Sequence, residues 1–346
     1  MIPHNRLTFS ETEALAAAEA VRSGWWVGGC RLAAFEKALE TTFSCDHAVA
    51  VGSGLGALRL ALKAVGVGPG REVVVPAYSC VALANAVLSL GAAVVVADVV
   101  LGSWNISAAS AAAKMTLRTA AIIAVHTFGA DLDVTGIASL GVPVIEDFSH
   151  GFPFDGTTAG AVRGAAAILS LHATKLIGAG EGGAVLTADS AIAATVRHMR
   201  DYADKPADGT FLNDKMTDIE AAIGLCQLDR LPATIKARSD LADRYQKHLK
   251  QAATTGSFAL PPAGHGRIWY RYAVELTAAP EAAEVATALR KRGIGAALPV
   301  DCWADLTDCP IAQVAYRNLI SLPLYPTLTT EEQDQVLSAF LEIRTQ

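Results

Sequence analysis

The stretch AVAVGSGLGALRLALKAVG, residues 48–66, changes periodicity at a single glycine-serine turn. AVAVGSG is a short run of β-branched and small residues, the composition of a buried strand, and LGALRLALKAVG then reads as a helix. The unit recurs. EVVVPAY (72–78) precedes the helical ALANAVLSLG (82–91). AAVVVADV (92–99), AAIIAVHTFG (120–129) and VPVIEDFSHG (142–151) are further apolar strands ending in polar residues or glycine. Buried-type strands alternating with helices predict an α/β fold with a mainly parallel sheet, helices covering both faces. Ligands of such a sheet lie beyond the carboxyl ends of its strands. Ser53, Tyr78, Asp98, His126, Asp147 and His150 all fall at such ends, which predicts one site there.

Outside the sheet, Ser10-Glu-Thr-Glu13 is a capping-box pattern opening a helix, and RLAAFEKALETTF (31–43) is a second helix. Beyond Asp189 the pattern is helical through IAATVRHMRDY (192–202), MTDIEAAIGLCQLDRL (216–231) and IKARSDLADRYQKHLKQA (235–252). A fresh start follows: RIWYRYAVEL (267–276) as a strand, EVATALRKRG (284–293) as a helix, and a closing helix beyond Thr329. We place a boundary near residue 235, giving a large domain over 1–235 and a smaller C-terminal α/β domain over 236–346. No internal repeat or low-complexity tail is found.

The chain has 346 residues, 52% hydrophobic and 18% charged, which is ample apolar material for a core. A net charge of −6 without a basic cluster argues against nucleic acid or an anionic membrane as partner. Cys30, Cys45, Cys80, Cys226, Cys302 and Cys309 are scattered with no Cys-x-x-Cys pair, so a reducing compartment is expected rather than a disulfide scaffold or zinc site. The opening residues lack the layout of a signal peptide, and SCVALANAVLSLGAAVVVADV, the longest apolar run, is split by Asn85 and Gly91. A soluble cytoplasmic protein is expected.

The chemistry is carried by SLHATKLIGAGEGGAV, residues 170–185. Lys175 has no acidic residue within five positions on either side and stands just past a buried strand. Pyridoxal phosphate needs such a lysine, deprotonatable and free of salt bridges, to condense with its aldehyde. It also needs a carboxylate at the pyridine nitrogen and N–H groups at a helix start for its phosphate. Asp147 closes a strand, Ser53-Gly54-Leu55-Gly56 joins a strand to a helix, and Ser170 adds a hydroxyl. Each residue alone has a plainer reading. Lys175 would be an exposed lysine, Asp147 a helix cap and His150 structural. His126 and His172 would be core or support residues behind the site, Cys80 a wall, and Trp25 and Trp26 interface, lid or core.

Together, GWWVGGCRLAAFE, the 48–92 stretch, VHTFG, VIEDFSHG, SLHATKLIGAGEGGAV, NDKMTDIEAAIGLCQLDRL and LISLPLYPTLT occur in an order that resembles the DegT/DnrJ/EryC1/StrS aminotransferases. These are fold-type-I pyridoxal-phosphate enzymes that mostly aminate nucleotide-linked keto sugars. The resemblance implies pyridoxal 5'-phosphate as cofactor, Lys175 as its attachment point and proton carrier, Asp147 at the pyridinium, and His150 at the phenolic oxygen. Gly54, Leu55 and Gly56 would hold the phosphate through backbone N–H groups, with Ser170 helping. Asn213 would reach the phosphate of the other subunit of a homodimer with shared sites, and Glu181 would order its loop. The implied partners are an amino acid donor, glutamate, and a nucleotide-sugar acceptor.

The departures are specific. Leu55 and Gly56 stand where the family often has threonine and alanine, Cys80 where an aromatic often stacks on the ring, and LPVDCWADL replaces a histidine-bearing segment. Amination of a non-nucleotide ketone such as a cyclitol, sugar dehydration, and a non-catalytic role are the alternatives. Related dehydratases carry histidine in place of the lysine, and here Lys175 is present. Gly52-x-Gly54-x-x-Ala57 also matches a dinucleotide fingerprint, but the next strand ends in VPAYSC, without the acid that fingerprint needs.

Overall fold

In the computed structural model, which describes residues 1–155, 159–203, 205–206, 211–264 and 266–345, a seven-stranded sheet forms the centre. Its strands are β1 (His47–Val51), β2 (Glu72–Pro76), β3 (Ala93–Ala97), β4 (Thr119–Val125), β5 (Val144–Asp147), β6 (Ala166–Ser170) and β7 (Gly183–Thr187), in the order β1-β7-β6-β5-β4-β2-β3. Pairs β2/β3, β2/β4, β4/β5 and β5/β6 are parallel, as the buried β-branched runs predicted. Strand β7 is the exception, antiparallel to both neighbours. The segment between β6 and β7 contains no helix, and without a crossover the chain can only return antiparallel. Lys175 lies on this return.

Helix Gly54–Ala64 packs its buried Ala57, Leu58, Leu60, Ala61 and Leu62 against the sheet, so the 48–66 stretch folds as strand, turn and helix. Ser10 and Glu13 form the expected capping box at helix Glu11–Arg22, with Ser10 N donating to Glu13 Oε2 at 2.8 Å. Two other helices are capped from a distance. The buried Asp218 carboxylate accepts from the amides of Gly29 (2.7 Å), Arg31 and Leu32 at the start of helix Cys30–Thr42. Asp98 accepts from Ile311 (3.0 Å) and Ala312 (2.9 Å) at helix Pro310–Asn318. A carboxylate at a helix start satisfies orphan N–H groups and complements the dipole, so both acids are committed to the fold.

A smaller antiparallel sheet, β8 (Phe258–Ala259), β9 (Tyr272–Leu276) and β10 (Leu319–Leu322), follows in the order β10-β9-β8. The strand expected over 267–276 is confined to 272–276. The carbonyls of Trp269 and Tyr270 accept instead from the buried Arg238 side chain, which leaves no ladder for residues before Tyr272. Helix Pro310–Asn318 and β10 were not read from the sequence. Residue 235 falls inside the unbroken helix Leu231–Ala253. The amino-terminal Ile2 pairs with this C-terminal region, donating to Gly293 O and accepting from Gly295 N.

One close crossing brings that region to the central sheet. Gly129, at φ +76°, lies so near Ile268 that a Cβ would stand 1.6 Å from its carbonyl oxygen. Only glycine fits there. Among the described residues no helix is long and apolar enough to cross a membrane.

Candidate active site

The carboxyl ends of β2, β4, β5 and β6 surround a cavity of about 330 Å³. Gly54, Leu55, Cys80, Asp147, His150, Ser170 and Lys175, seven of the residues singled out from sequence, line it together. Tyr78, His172 and Val300 complete part of the wall.

Asp147 ends β5 and is buried, with Oδ1 accepting from Ser149 N at 2.8 Å. That bond fixes the carboxylate at the cavity wall. Ser53 caps helix Gly54–Ala64: its Oγ accepts from Gly56 N at 3.0 Å and its carbonyl from Ala57 N at 2.9 Å. The helix-start amides not spent on this cap are those of Gly54 and Leu55. Gly54 also permits close approach, since a Cβ there would stand 2.8 Å from Ser170 Cβ. Turn and strand end are thereby pressed together, ready to share one anion.

His150 is clamped between aromatic rings, stacked on Phe128 (centroids 5.6 Å apart, 19° between planes) and on Tyr270 (4.6 Å, 16°). Burial first, then the charges of Lys175 and Arg271, hold its pKa well below the usual histidine value, so the ring is neutral. Its Nδ1 is buried without a partner. Lys175 Nζ lies 4.8 Å from the Tyr270 ring centroid, and no carboxylate among the described residues pairs with it. Tyr78 is buried in a cluster with Trp104, Phe128 and Tyr316, and its hydroxyl is also unpartnered. Burial, then the neighbouring Tyr316, raises that phenol well above its ordinary pKa.

Several sequence expectations resolve differently. Gly56 does not line the cavity, and its amide is taken by Ser53 Oγ. Asn213 is exposed and away from the cavity wall, its Oδ1 3.5 Å from Lys215 N. The local alternative, that Asn213 caps the next helix, is corrected: Thr217 caps it, in a capping box with Glu220. Asn213 is nonetheless held near the phosphate-type turn, because Asp214 O accepts from Gly52 N at 2.7 Å and its carboxylate pairs with Arg59. His126, at a strand end but read as core or as support behind the site, is buried against Glu146 (3.0 Å), which also accepts from the amides of Arg163 and Gly164. Asp98 is the remote cap described above. Trp25 and Trp26 are 63% and 54% exposed, which removes the core reading. Glu181 is exposed on its loop.

A model of the DegT/DnrJ/EryC1/StrS aminotransferase family matches residues 8–341. The chain belongs to this family. Its relatives include the spore coat polysaccharide biosynthesis protein SpsC of Bacillus subtilis, 30% identical over 379 aligned positions, with 99% of this chain and 97% of SpsC covered. Among solved structures, the aminotransferase TlmJ of Streptoalloteichus hindustanus superimposes with a TM-score of 0.90 at 29% identity, over all of both chains. NtdA of Bacillus subtilis, solved with the cofactor PMP bound, gives 0.88 at 25% identity, covering 97% of this chain and 82% of that one. This family member is a pyridoxal-phosphate-dependent aminotransferase of the sugar aminotransferase group.

The cavity fits the cofactor on its own chemistry. It offers an amine without an ion pair, a buried carboxylate at a strand end, an orphaned imidazole nitrogen, and a glycine-opened helix start. Sequence reasoning missed Tyr270, Phe128 and Arg271. The run WYRY was read only as strand, although three aromatics around an arginine exceed what a short strand needs.

Proposed function

We propose that the chain transfers the amino group of glutamate to the keto carbon of a nucleotide-linked keto-deoxy sugar, as a homodimer with shared sites in the cytoplasm. The observation that carries the reading is the meeting of Asp147, His150, Ser170 and Lys175 with the Gly54–Leu55 turn around one cavity. Membership of a sugar aminotransferase family supports a sugar as acceptor, and SpsC, a polysaccharide biosynthesis protein, is consistent with that class. Scattered free cysteines suit a reducing compartment.

When bound, pyridoxal phosphate supplies an electron sink conjugated to the carbon that carries the amine. The protein's part is to hold that sink and move protons. Asp147, kept in place by Ser149 N–H, would hold the ring nitrogen protonated. His150 would offer its orphaned Nδ1 to the phenolic oxygen, its plane set by Phe128 and Tyr270. Gly54 and Leu55 amides and the Ser170 hydroxyl would hold the phosphate, while Ser53 and Gly56 order the turn. Lys175, whose amine pairs with no carboxylate among the described residues, would be the point of cofactor attachment and the group that moves the proton at the donor's α-carbon. Cys80 forms a thin wall where an aromatic would stack. Residues 1–235 would bind the cofactor and 236–346 would cover it, with Asn213 reaching the partner's phosphate turn.

The test is a screen of the purified, cofactor-loaded protein with glutamate against nucleotide-linked keto sugars and keto cyclitols, read by mass. Amination of a nucleotide sugar is expected. Amination of cyclitols alone would overturn the nucleotide assignment.

A further inference from the structure

Trp104 and Phe128 share an uncommon backbone. Both are held in the left-handed region, at φ +61° and +53°. A bulky aromatic residue is strained there far more than glycine or asparagine, and such strain persists only where surrounding contacts enforce it. The two residues follow different strands, β3 and β4, yet both rings pack on Tyr78, with centroids 6.3 and 6.1 Å away.

One side chain ties these segments together. Asn105, 3% exposed, accepts at Oδ1 from Thr127 N (2.9 Å). Its Nδ2 donates to Asp131 O (2.7 Å) and Ala130 O (3.4 Å). A single amide thus closes the turn around Phe128 at both its entry and its exit. The tie is returned from the other side, since Thr127 Oγ1 donates to Trp104 O at 3.2 Å. Asn105 is itself fixed, its carbonyl accepting from Val100 N at 2.8 Å.

The clamped turn bears directly on His150. Phe128 is fully buried and stacks on the imidazole with 19° between planes. The next residue presses on the same segment, because a Cβ at Gly151 would stand 2.5 Å from Gly129 Cα. His150 Nδ1 is buried without a hydrogen-bond partner, so the neighbouring rings set the tilt of the imidazole. Neither Asn105 nor Phe128 lines the cofactor cavity. A packing role explains the bonds of the buried amide. It does not explain why a phenylalanine occupies the strained position with its ring flat against a histidine.

We propose that Asn105 is a positioning residue: by holding Phe128 in its left-handed turn, it fixes the plane of His150 toward the phenolic oxygen of the cofactor. This rests on the placement of His150 at that oxygen given above. Hydrogen bonds weaken steeply as their angle closes. A tilted imidazole therefore loses the contact even though every group that touches the cofactor is still present.

The test reads the absorbance of the cofactor bound at Lys175, which changes with pH at a midpoint sensitive to hydrogen bonding at the phenolic oxygen. His150→Phe keeps a stacked ring and removes the nitrogen. It should move the midpoint by about one pH unit or more, the size of one charge-assisted bond. Asn105→Ala should move it in the same direction by about half a unit or more. Added to His150→Phe, it should contribute less than about 0.2 unit, because the two residues act in series. Circular dichroism and the thermal midpoint of the cofactor-free protein check that each variant is folded. If Asn105→Ala does not fold, Asn105→Asp, which keeps the acceptor for Thr127 N–H and loses both donor bonds, decides by the same comparison. A folded variant with a lower thermal midpoint but the wild-type absorbance midpoint overturns the proposal and leaves Asn105 as scaffold. An equal shift with and without His150 overturns it in favour of a route through Thr127, which lines the cavity itself. A His150→Phe midpoint equal to the wild type's instead defeats the placement of His150 at the phenolic oxygen, and the role of Asn105 with it.

Discussion

The amine of Lys175 stands 4.8 Å from the centre of the Tyr270 ring, and that ring stacks on His150. Burial favours the neutral phenol of Tyr270, but the charges of Lys175 and Arg271 outweigh it and bring its pKa below the ordinary value. Tyr270 thus joins the C-terminal region to two residues of the sheet's carboxyl edge. Tyr270→Phe should keep the stack and cost less than about 1.5 kcal/mol, whereas Tyr270→Ala should cost about 3–5 kcal/mol through the cavity it leaves. Urea unfolding of the cofactor-free protein measures both. Equal losses would mean that the hydroxyl, not the ring, matters.

Borohydride reduction of the loaded enzyme and peptide mapping should place the pyridoxyl group on Lys175. Asp147→Asn should retain cofactor yet lower the transamination rate by two or more powers of ten, about 3 kcal/mol, because an amide cannot keep the ring nitrogen protonated. A label on another lysine, or a near wild-type Asp147→Asn, removes the corresponding assignment.

His150 and His4 both resist protonation in the folded state. The unfolded chain takes up these protons as the pH falls below about 6.5, and the folded chain does not, so stability is full above that pH and lost below it. Each histidine should add about 1.4 kcal/mol per pH unit to the slope below about pH 6. Unfolding free energies of the cofactor-free protein between pH 7 and 5 should therefore fall less steeply in His150→Gln. Parallel curves would show that His150 protonates freely in the fold.

Cys80 is exposed on the cavity wall, where a larger side chain has room. Cys80→Phe should be tolerated and tighten cofactor binding by about 0.5–1.5 kcal/mol through stacking. Complete loss of cofactor would show that the space over the ring is already filled, Tyr78 being an aromatic on the same wall.

Asn213 is exposed and uninvolved in capping its own helix, which leaves its amide available to a neighbour. Lys175→Ala and Asn213→Ala proteins, each poorly active, should regain activity when allowed to exchange subunits, since a mixed dimer contains one intact site. Demonstrated exchange without recovery would place the action of Asn213 within its own chain.

Much of the site was legible because strand ends are marked by composition. Asp147 and Ser170 end apolar runs, and the Ser53–Gly56 turn separates two periodicities, so their common edge followed from the α/β pattern. The same logic over-reached at Asp98, and at His126 only the reading of a core residue holds. Both lie at strand ends, but one caps a distant helix and the other pairs with Glu146 inside the fold. Local sequence cannot distinguish a polar residue facing a ligand from one satisfying a buried group.

The sequence alone determined the layered α/β class, the strand-to-helix turn and the isolation of Lys175 from acids, since period, glycine content and charge spacing are local properties. Tertiary structure decided the rest. The return of β7 beside β6, the clamp of Phe128 and Tyr270 on His150, and the burial of Arg238 against the carbonyls of Trp269, Tyr270 and Leu324 depend on segments far apart in the chain. Stacking and desolvation act only where those segments meet, and that meeting is set by the packing of the whole core.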